Sequence, residues 1–298
     1  MSVTVVGSVA LDTVETPWGR NEAGLGGAAV YFALAATNYT RVHLVGVVGE
    51  DFPDEHVRLL EAKGIDLSGM ARMPGKTFRW TGRYHEDVNV RDTLDTQLNV
   101  FEDFHPKLPK AARHAKYLFL GNIHPGLQRE VLEQAQAEFV ALDTMNLWIH
   151  TAANELDAVL KRVHAIIIND SEVKDLTGER NLVKGAAAVL QLGPRIVVVK
   201  KGEHGCLLFE DGRTFAAPAL LLADVTDPTG AGDTFAGGFM GYIAQQDSTD
   251  ALTLRRAVIH GNVVASFTCE AFGPARLAQT DAAAIQQRFQ TFQDLVAF

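Results

Sequence analysis

Cysteine is nearly absent from this 298-residue chain: Cys206 and Cys269 are the only two, far apart, and no CxxC or Cys/His cluster surrounds either. That argues against a disulfide framework and a thiolate zinc site, and both read as reduced core residues. Long apolar runs are missing too. Nothing approaches the roughly 18 apolar residues that a membrane-crossing helix needs, and the opening MSVTVVGSVALD has neither a basic region nor a cleavage pattern. Membrane insertion and export are not expected, and the cytoplasm is the expected compartment. Basic residues are in deficit, 27 Lys and Arg against 36 Asp and Glu, for a net charge of -9. Nucleic acids and anionic bilayers reward a basic face, so neither is an expected partner, although an anionic small molecule can still bind through local dipoles. No GxxxxGK[ST] occurs, so a P-loop phosphate cradle is excluded.

What is present is a composition of 47% hydrophobic and 21% charged residues, which suits a chain folded throughout, with one large domain and a smaller appendage. Runs rich in Val, Ile and Leu recur at 3–9, 41–49, 115–121, 139–143, 165–170 and 195–202, as for strands buried on both faces of a parallel sheet. Helical periodicity fills 27–38, 55–63, 127–137, 155–162 and 184–192, and most of the chain after 230. This alternation predicts an α/β fold with helices on both faces of a central, mostly parallel sheet. Two segments break the rhythm, 11–24 and 77–101. In the second, Phe78, Trp80, Gly82 and Tyr84 alternate with polar residues, and 85–89 suits a turn before a return strand. Both segments are expected in a small sheet projecting from the main domain.

Ligands of open α/β sheets bind beyond the carboxyl ends of the strands, so the polar residues there are the candidates: Asp12, Asn122, His124, Asp143, Asn146, Asn169, Glu172, Lys200, Lys201 and the stretch 227–233. DPTGAGD, 227–233, runs straight into an apolar helix. Its free first-turn amides, approached through Gly230, Ala231 and Gly232, would make an anion hole for a phosphoryl group. The same field would hold Asp233 ionised and ready to accept a hydroxyl proton. NDSE, 169–172, sets the amide oxygen of Asn169 and the carboxylate of Glu172 one helical turn apart, which suits a hard cation such as Mg²⁺, although a helix cap is the commoner use of such residues and, taken alone, the favoured one. GLGGAA, 24–29, matches part of a dinucleotide fingerprint, but more than ten residues part it from the first strand, which speaks against NAD(P).

DPTGAGDTFAGGF, 227–239, closely resembles the C-terminal signature of the PfkB carbohydrate kinase family, which includes ribokinase, fructokinase and adenosine kinase. The resemblance extends along nearly the whole chain, through GSVALD, GGAAVYFALAA (26–36), VGVVGEDFP (45–53), NDSE and the C-terminal helices. It implies a ribokinase-like fold whose small β-sheet acts as a lid and often as a dimer interface. It also implies a kinase that moves the γ-phosphoryl group of ATP to an alcohol of a sugar or sugar-like acceptor. Carried over, Asp233 would be the base and Gly230, Ala231 and Gly232 the anion hole. Asn169 and Glu172 would organise Mg²⁺ and phosphate, Asp12, Gly26 and Gly27 would hold the acceptor, and Lys201, Gly202, Gly205 and Asn262 would border ATP. Asp227 and Thr229 coincide with carbonyl donors for a monovalent cation in some members, which admits K⁺.

The departures fall in the acceptor site, where Ala10 and Tyr31 stand in place of two sugar-directed Asn residues and DTMN, 143–146, matches the DxN of fructokinase-like members only in part. A nucleoside acceptor is the alternative, for which Tyr31, Phe78, Trp80 and Tyr84 could offer a flat surface, though such residues more often form the core of a small sheet. Arg83 and Arg91 read as solvated charge before they read as contacts to an acidic acceptor, and His124 as a packed polar residue. Two further readings are a ligand sensor without catalysis and an oxidoreductase using GLGGAA.

Overall fold

The Val- and Ile-rich runs can lie in a sheet only if helices cover both faces, and the chain alternates accordingly. The computed structural model describes residues 1–297. Its first half comprises β1 (Ser2–Val6), β2 (Ala10–Thr16), β3 (Gly19–Gly26), α1 (Ala28–Ala36), β4 (Arg41–Gly49), α2 (Asp54–Ala62), β5 (Ile65–Met73), β6 (Phe78–Tyr84), β7 (Arg91–Gln97), α3 (Lys110–Arg113), β8 (Tyr117–Leu120), α4 (Pro125–Gln134) and β9 (Phe139–Leu142). There follow α5 (Asn146–Thr151), α6 (Ala153–Leu160), β10 (Ala165–Asn169), α7 (Asp170–Thr177), α8 (Leu182–Gln191), β11 (Ile196–Lys200), β12 (Cys206–Glu210), β13 (Arg213–Ala217), α9 (Ala231–Gln246), α10 (Ala251–Thr268), α11 (Ala275–Ala278) and α12 (Ala282–Val296).

Nine strands form the main sheet in the order β13-β12-β11-β10-β9-β8-β1-β4-β5. It is parallel from β11 to β5, and β12 and β13 extend it antiparallel at one edge. All six apolar runs read from the sequence are strands of this sheet. β5, β12 and β13 are additional. In β5 only Ile65 is fully buried, because it is an edge strand, so its sequence lacks a continuous apolar run. One apolar cluster, with α1, α9 and α10, fills one face, and a second, with α4, α6 and α8, fills the other.

The four remaining strands make a separate sheet, β3-β2-β6-β7, from the two segments that broke the α/β rhythm. β2 pairs antiparallel with β3 and parallel with β6, and β6 pairs antiparallel with β7 across the turn expected at 85–89. Strand order in the main sheet reverses between β1 and β8. The resulting crevice lies at the carboxyl ends of the strands, under the small sheet.

Candidate active site

α9 begins at Gly230, whose φ of 77° lies in the left-handed region, where glycine is at no disadvantage. A side chain there would also strike the Tyr31 ring, 2.4 Å from an added Cβ. No side chain caps the helix. Ala231 N–H is engaged with Pro228 O at 3.1 Å, so of the three backbone positions expected to form the anion hole this amide is already used. Gly230 and Gly232 have no backbone acceptor and remain available. Asp233, in the first turn, is half-buried. The expectation that the helix field keeps it ionised needs correction. Burial and the Asp143 carboxylate outweigh Lys200 and the helix amides, and push the Asp233 carboxyl up to about 7.

Across the crevice Asp12, on β2, is buried and accepts Gly27 N–H at 3.3 Å. Gly26 must lack a side chain, since a Cβ there would sit 2.0 Å from Asp12 Oδ2. Burial, together with Asp227 and Asp233 and against the Gly27 amide, raises the Asp12 carboxyl to about 7. Tyr31 is only 2% exposed, packed behind Gly230, and its ring offers no flat surface to an acceptor. Its phenol, among Asp12, Asp227, Asp233 and Tyr84, is pushed well above its ordinary value by burial and by those negative groups.

Asn169 and Glu172 form a reciprocal capping box on α7: Asn169 Oδ1 accepts Glu172 N–H at 2.9 Å, and Glu172 Oε2 accepts Asn169 N–H at 2.8 Å. The second Glu172 oxygen is left over. Burial and Asp143, against Lys200, push this carboxyl up to about 7. Lys200 closes the group, 3.7 Å from Asp143 Oδ1. Burial opposes its charge, but Asp143, Glu172 and Asp233 outweigh burial and hold the ammonium charged.

A cavity of about 470 Å³ opens beside these groups, lined by Lys200, Gly202, Gly205, Asn262, Ala231 and Gly232 among others. Of the residues expected to border a nucleotide, Gly202, Gly205 and Asn262 line it and Lys201 does not: the neighbouring Lys200 faces the cavity instead. Asn262 donates to Pro218 O at 3.1 Å. Both cysteines are free and line this cavity, Cys206 buried and Cys269 half-buried. From the small sheet come Val88 and Asn89, whose side chain abuts Gly202. Sequence reasoning gave Lys200 and Asp143 no role and missed Asn89. Lys200 and Asp143 were visible only as polar residues following strands.

Asp227 is fully buried, accepting Thr229 N–H at 2.8 Å and Gly273 N–H at 3.1 Å, and Thr229 Oγ1 donates to the Tyr84 phenol at 3.2 Å. Burial holds the Asp227 carboxyl above the usual range against those donors. Arg83 is paired with Glu15 at 2.8 Å, as solvated sheet charge, whereas Arg91 lies over the Trp80 ring, 5.2 Å from its centroid. His124 caps α4 and packs edge-on against Trp148. GLGGAA runs from β3 of the small sheet, not from a strand of the parallel core, so the geometry of a dinucleotide turn is absent there.

The pfkB family carbohydrate kinase model matches residues 2–281. The cytidine kinase of Thermococcus kodakarensis is 32% identical over 249 residues, 81% of this chain and 88% of that protein. A putative ribokinase II of E. coli, solved with ATP and Mg²⁺, superposes with a TM-score of 0.80 at 18% identity, over 97% of this chain and 99% of its own. The Burkholderia thailandensis nucleoside kinase, solved with inosine, gives 0.79 at 21%, over 97% and 98%. The chain belongs to the pfkB family of carbohydrate kinases. It is a ribokinase-fold phosphotransferase of the sugar and nucleoside kinase class. Among the described residues no helix is long and apolar enough to cross a membrane.

Proposed function

We propose that this protein works as an ATP- and Mg²⁺-dependent kinase that phosphorylates a hydroxyl of a small sugar or nucleoside in the cytoplasm. One observation carries the reading: the Asp233 carboxyl stands in the first turn of α9 beside unengaged amides, close enough to buried Asp12 to raise that carboxyl and next to residues that line the 470 Å³ cavity. Asp12 and the Gly26–Gly27 turn hold the acceptor, and Asp233 takes its proton. Phosphoryl transfer is largely dissociative, so alignment by these groups matters more than strong basicity. The amides of Gly230 and Gly232 receive the charge developing on the phosphoryl oxygens.

The residues present suit Mg²⁺. Asn169 and Glu172 supply oxygen donors already committed to the cap, Glu172 keeps one carboxylate oxygen, and no closed cage of three His, Cys, Asp or Glu exists among the described residues. That set fits an ion that keeps its waters and is held by one or two carboxylates. When bound, Mg²⁺ would neutralise phosphate charge. K⁺ at the carbonyls of Asp227 and Thr229 belongs to the same proposal, as does a four-stranded sheet that acts as a lid and, through its outer face, as a homodimer contact.

The nucleoside reading is favoured by the 32% identity to a cytidine kinase and by Tyr31 and Ala10 standing where sugar-directed amides would be. The test is ADP release against a panel of pentoses, hexoses, sugar acids, phosphosugars and nucleosides. We expect turnover with a nucleoside or pentose, and Asp233→Asn should lower kcat by about 10³-fold or more with nucleotide affinity retained. Turnover of that variant near the wild-type rate would remove Asp233 as the base.

A further inference from the structure

Lys200 is placed where a cation should not rest. Its ammonium lies at the start of α9, 3.0 Å from where a Cβ on Gly232 would be, and a helix N-terminus repels positive charge. Its side chain is only 18% exposed, yet it makes no hydrogen bond; its nearest anionic oxygen, Asp143 Oδ1, is 3.7 Å away. Three donors thus face the cavity beside the unengaged amides of α9, held there by surrounding carboxylates that attract without binding closely. A purely structural lysine would be expected to close on Asp143, because a buried ion pair repays its desolvation only with good hydrogen-bond geometry. The gap is explained if the missing acceptor is a ligand oxygen.

We propose that Lys200 is a catalytic residue whose ammonium binds an oxygen of the transferring phosphoryl group, with Asp143 as the positioning residue that holds it over the α9 amides. This rests on the kinase reading and adds one contact to it. The acceptor oxygen forms its bond to the γ-phosphorus while the bond from that phosphorus to the β,γ-bridging oxygen breaks, the electron pair leaving with ADP. The acceptor proton passes to Asp233. Lys200 neither gains nor loses a proton, and its charge follows the γ-phosphoryl oxygens through the transfer.

Titration calorimetry with Mg²⁺, comparing ADP with a non-hydrolysable ATP analogue, tests the contact without an acceptor. Lys200→Met should keep ADP affinity within about threefold of wild type and lose the additional affinity for the triphosphate, while kcat with an acceptor from the panel falls about 10²- to 10³-fold. The double variant Lys200→Met/Asp143→Asn, which removes one charge of each sign, should regain thermal stability lost by the single variant but not turnover. Equal weakening of ADP and the analogue, or turnover of Lys200→Met within about threefold of an active wild type, would overturn the assignment while leaving the kinase reading intact. A wild-type chain that bound no ATP and released no ADP would overturn both.

Discussion

A base works best when its pKa lies near the working pH, and the surroundings of Asp233, the proposed base, put it there: burial and Asp143 raise it to about 7, with Lys200 and the amide dipoles limiting the rise. Turnover should therefore increase as pH rises through about 7, as the ionised form takes over, and level off above 8; a kcat profile flat from pH 5.5 to 8.5 would contradict this. The same shift predicts an opposite effect on stability. In the unfolded chain this carboxyl titrates near 3.8, so between about 4 and 7 the folded protein binds a proton that the unfolded one does not. Above 7 the folded state bears the full cost of a buried charge, and the cost fades as pH falls toward 4. Asp233→Asn should therefore unfold later than wild type at pH 8, by roughly 1–3 kcal/mol, with the gain shrinking in denaturant titrations toward pH 5. The sequence placed this aspartate correctly in a first helical turn. Its pKa was not legible there, because the neighbours that set it, Asp143 and Lys200, arrive from two other strands.

Where the chain passes between its two sheets, one carboxylate ties the junction. Asp51, just after β4, accepts Thr77 N–H and Thr77 Oγ1–H, both at 2.7 Å, and Arg79 Nη2 at 2.9 Å, while Thr77 Oγ1 accepts Gly49 N–H at 3.0 Å. Burial works against the charge, but Arg79 and Thr77 prevail and hold this carboxyl below its ordinary value. The contribution is thus present above about 4 and is lost as pH falls through the lowered folded value. Asp51→Ala should loosen the start of β6, raising the acceptor KM about tenfold with a smaller change in nucleotide affinity, and costing about 1–2 kcal/mol in denaturant unfolding. An unchanged acceptor KM would show that this knot does not set the small sheet's position. The parallel strands could be read from sequence because burial on both faces demands unbroken apolar runs, as in AIIIN of β10. β5 could not, since an edge strand keeps polar residues, and the clamp could not, since Asp51 and Thr77 are 26 residues apart and nothing in VGVVGEDFP, 45–53, points to Thr77 as the partner of Asp51.

At the scale of the whole molecule the small sheet touches both halves of the crevice. Tyr84, at the end of β6, receives the Thr229 hydroxyl next to the proposed anion hole, Asn89 in the following turn abuts Gly202 of the loop after β11, and Arg91 at the start of β7 bears electrostatically on both Glu172 and Asp233. A segment of eight residues, 84–91, therefore contacts the proposed transfer site and the cavity proposed for the nucleotide at once. Its own anchoring is slight: His85, Glu86, Asp87, Asn89, Val90 and Arg91 are exposed. Such a segment gains most of its order from what it closes over, so its opening free energy should depend on both ligands together. Hydrogen exchange of residues 84–91 should slow modestly with a non-hydrolysable ATP analogue alone or acceptor alone, and by more than the product of the two effects when both are present. Asn89→Ala should weaken the nucleotide arm selectively, and Tyr84→Phe should leave that arm unchanged. Protection that was merely the product of the separate effects would mean that the two halves of the crevice close independently, with no coupling carried by the turn.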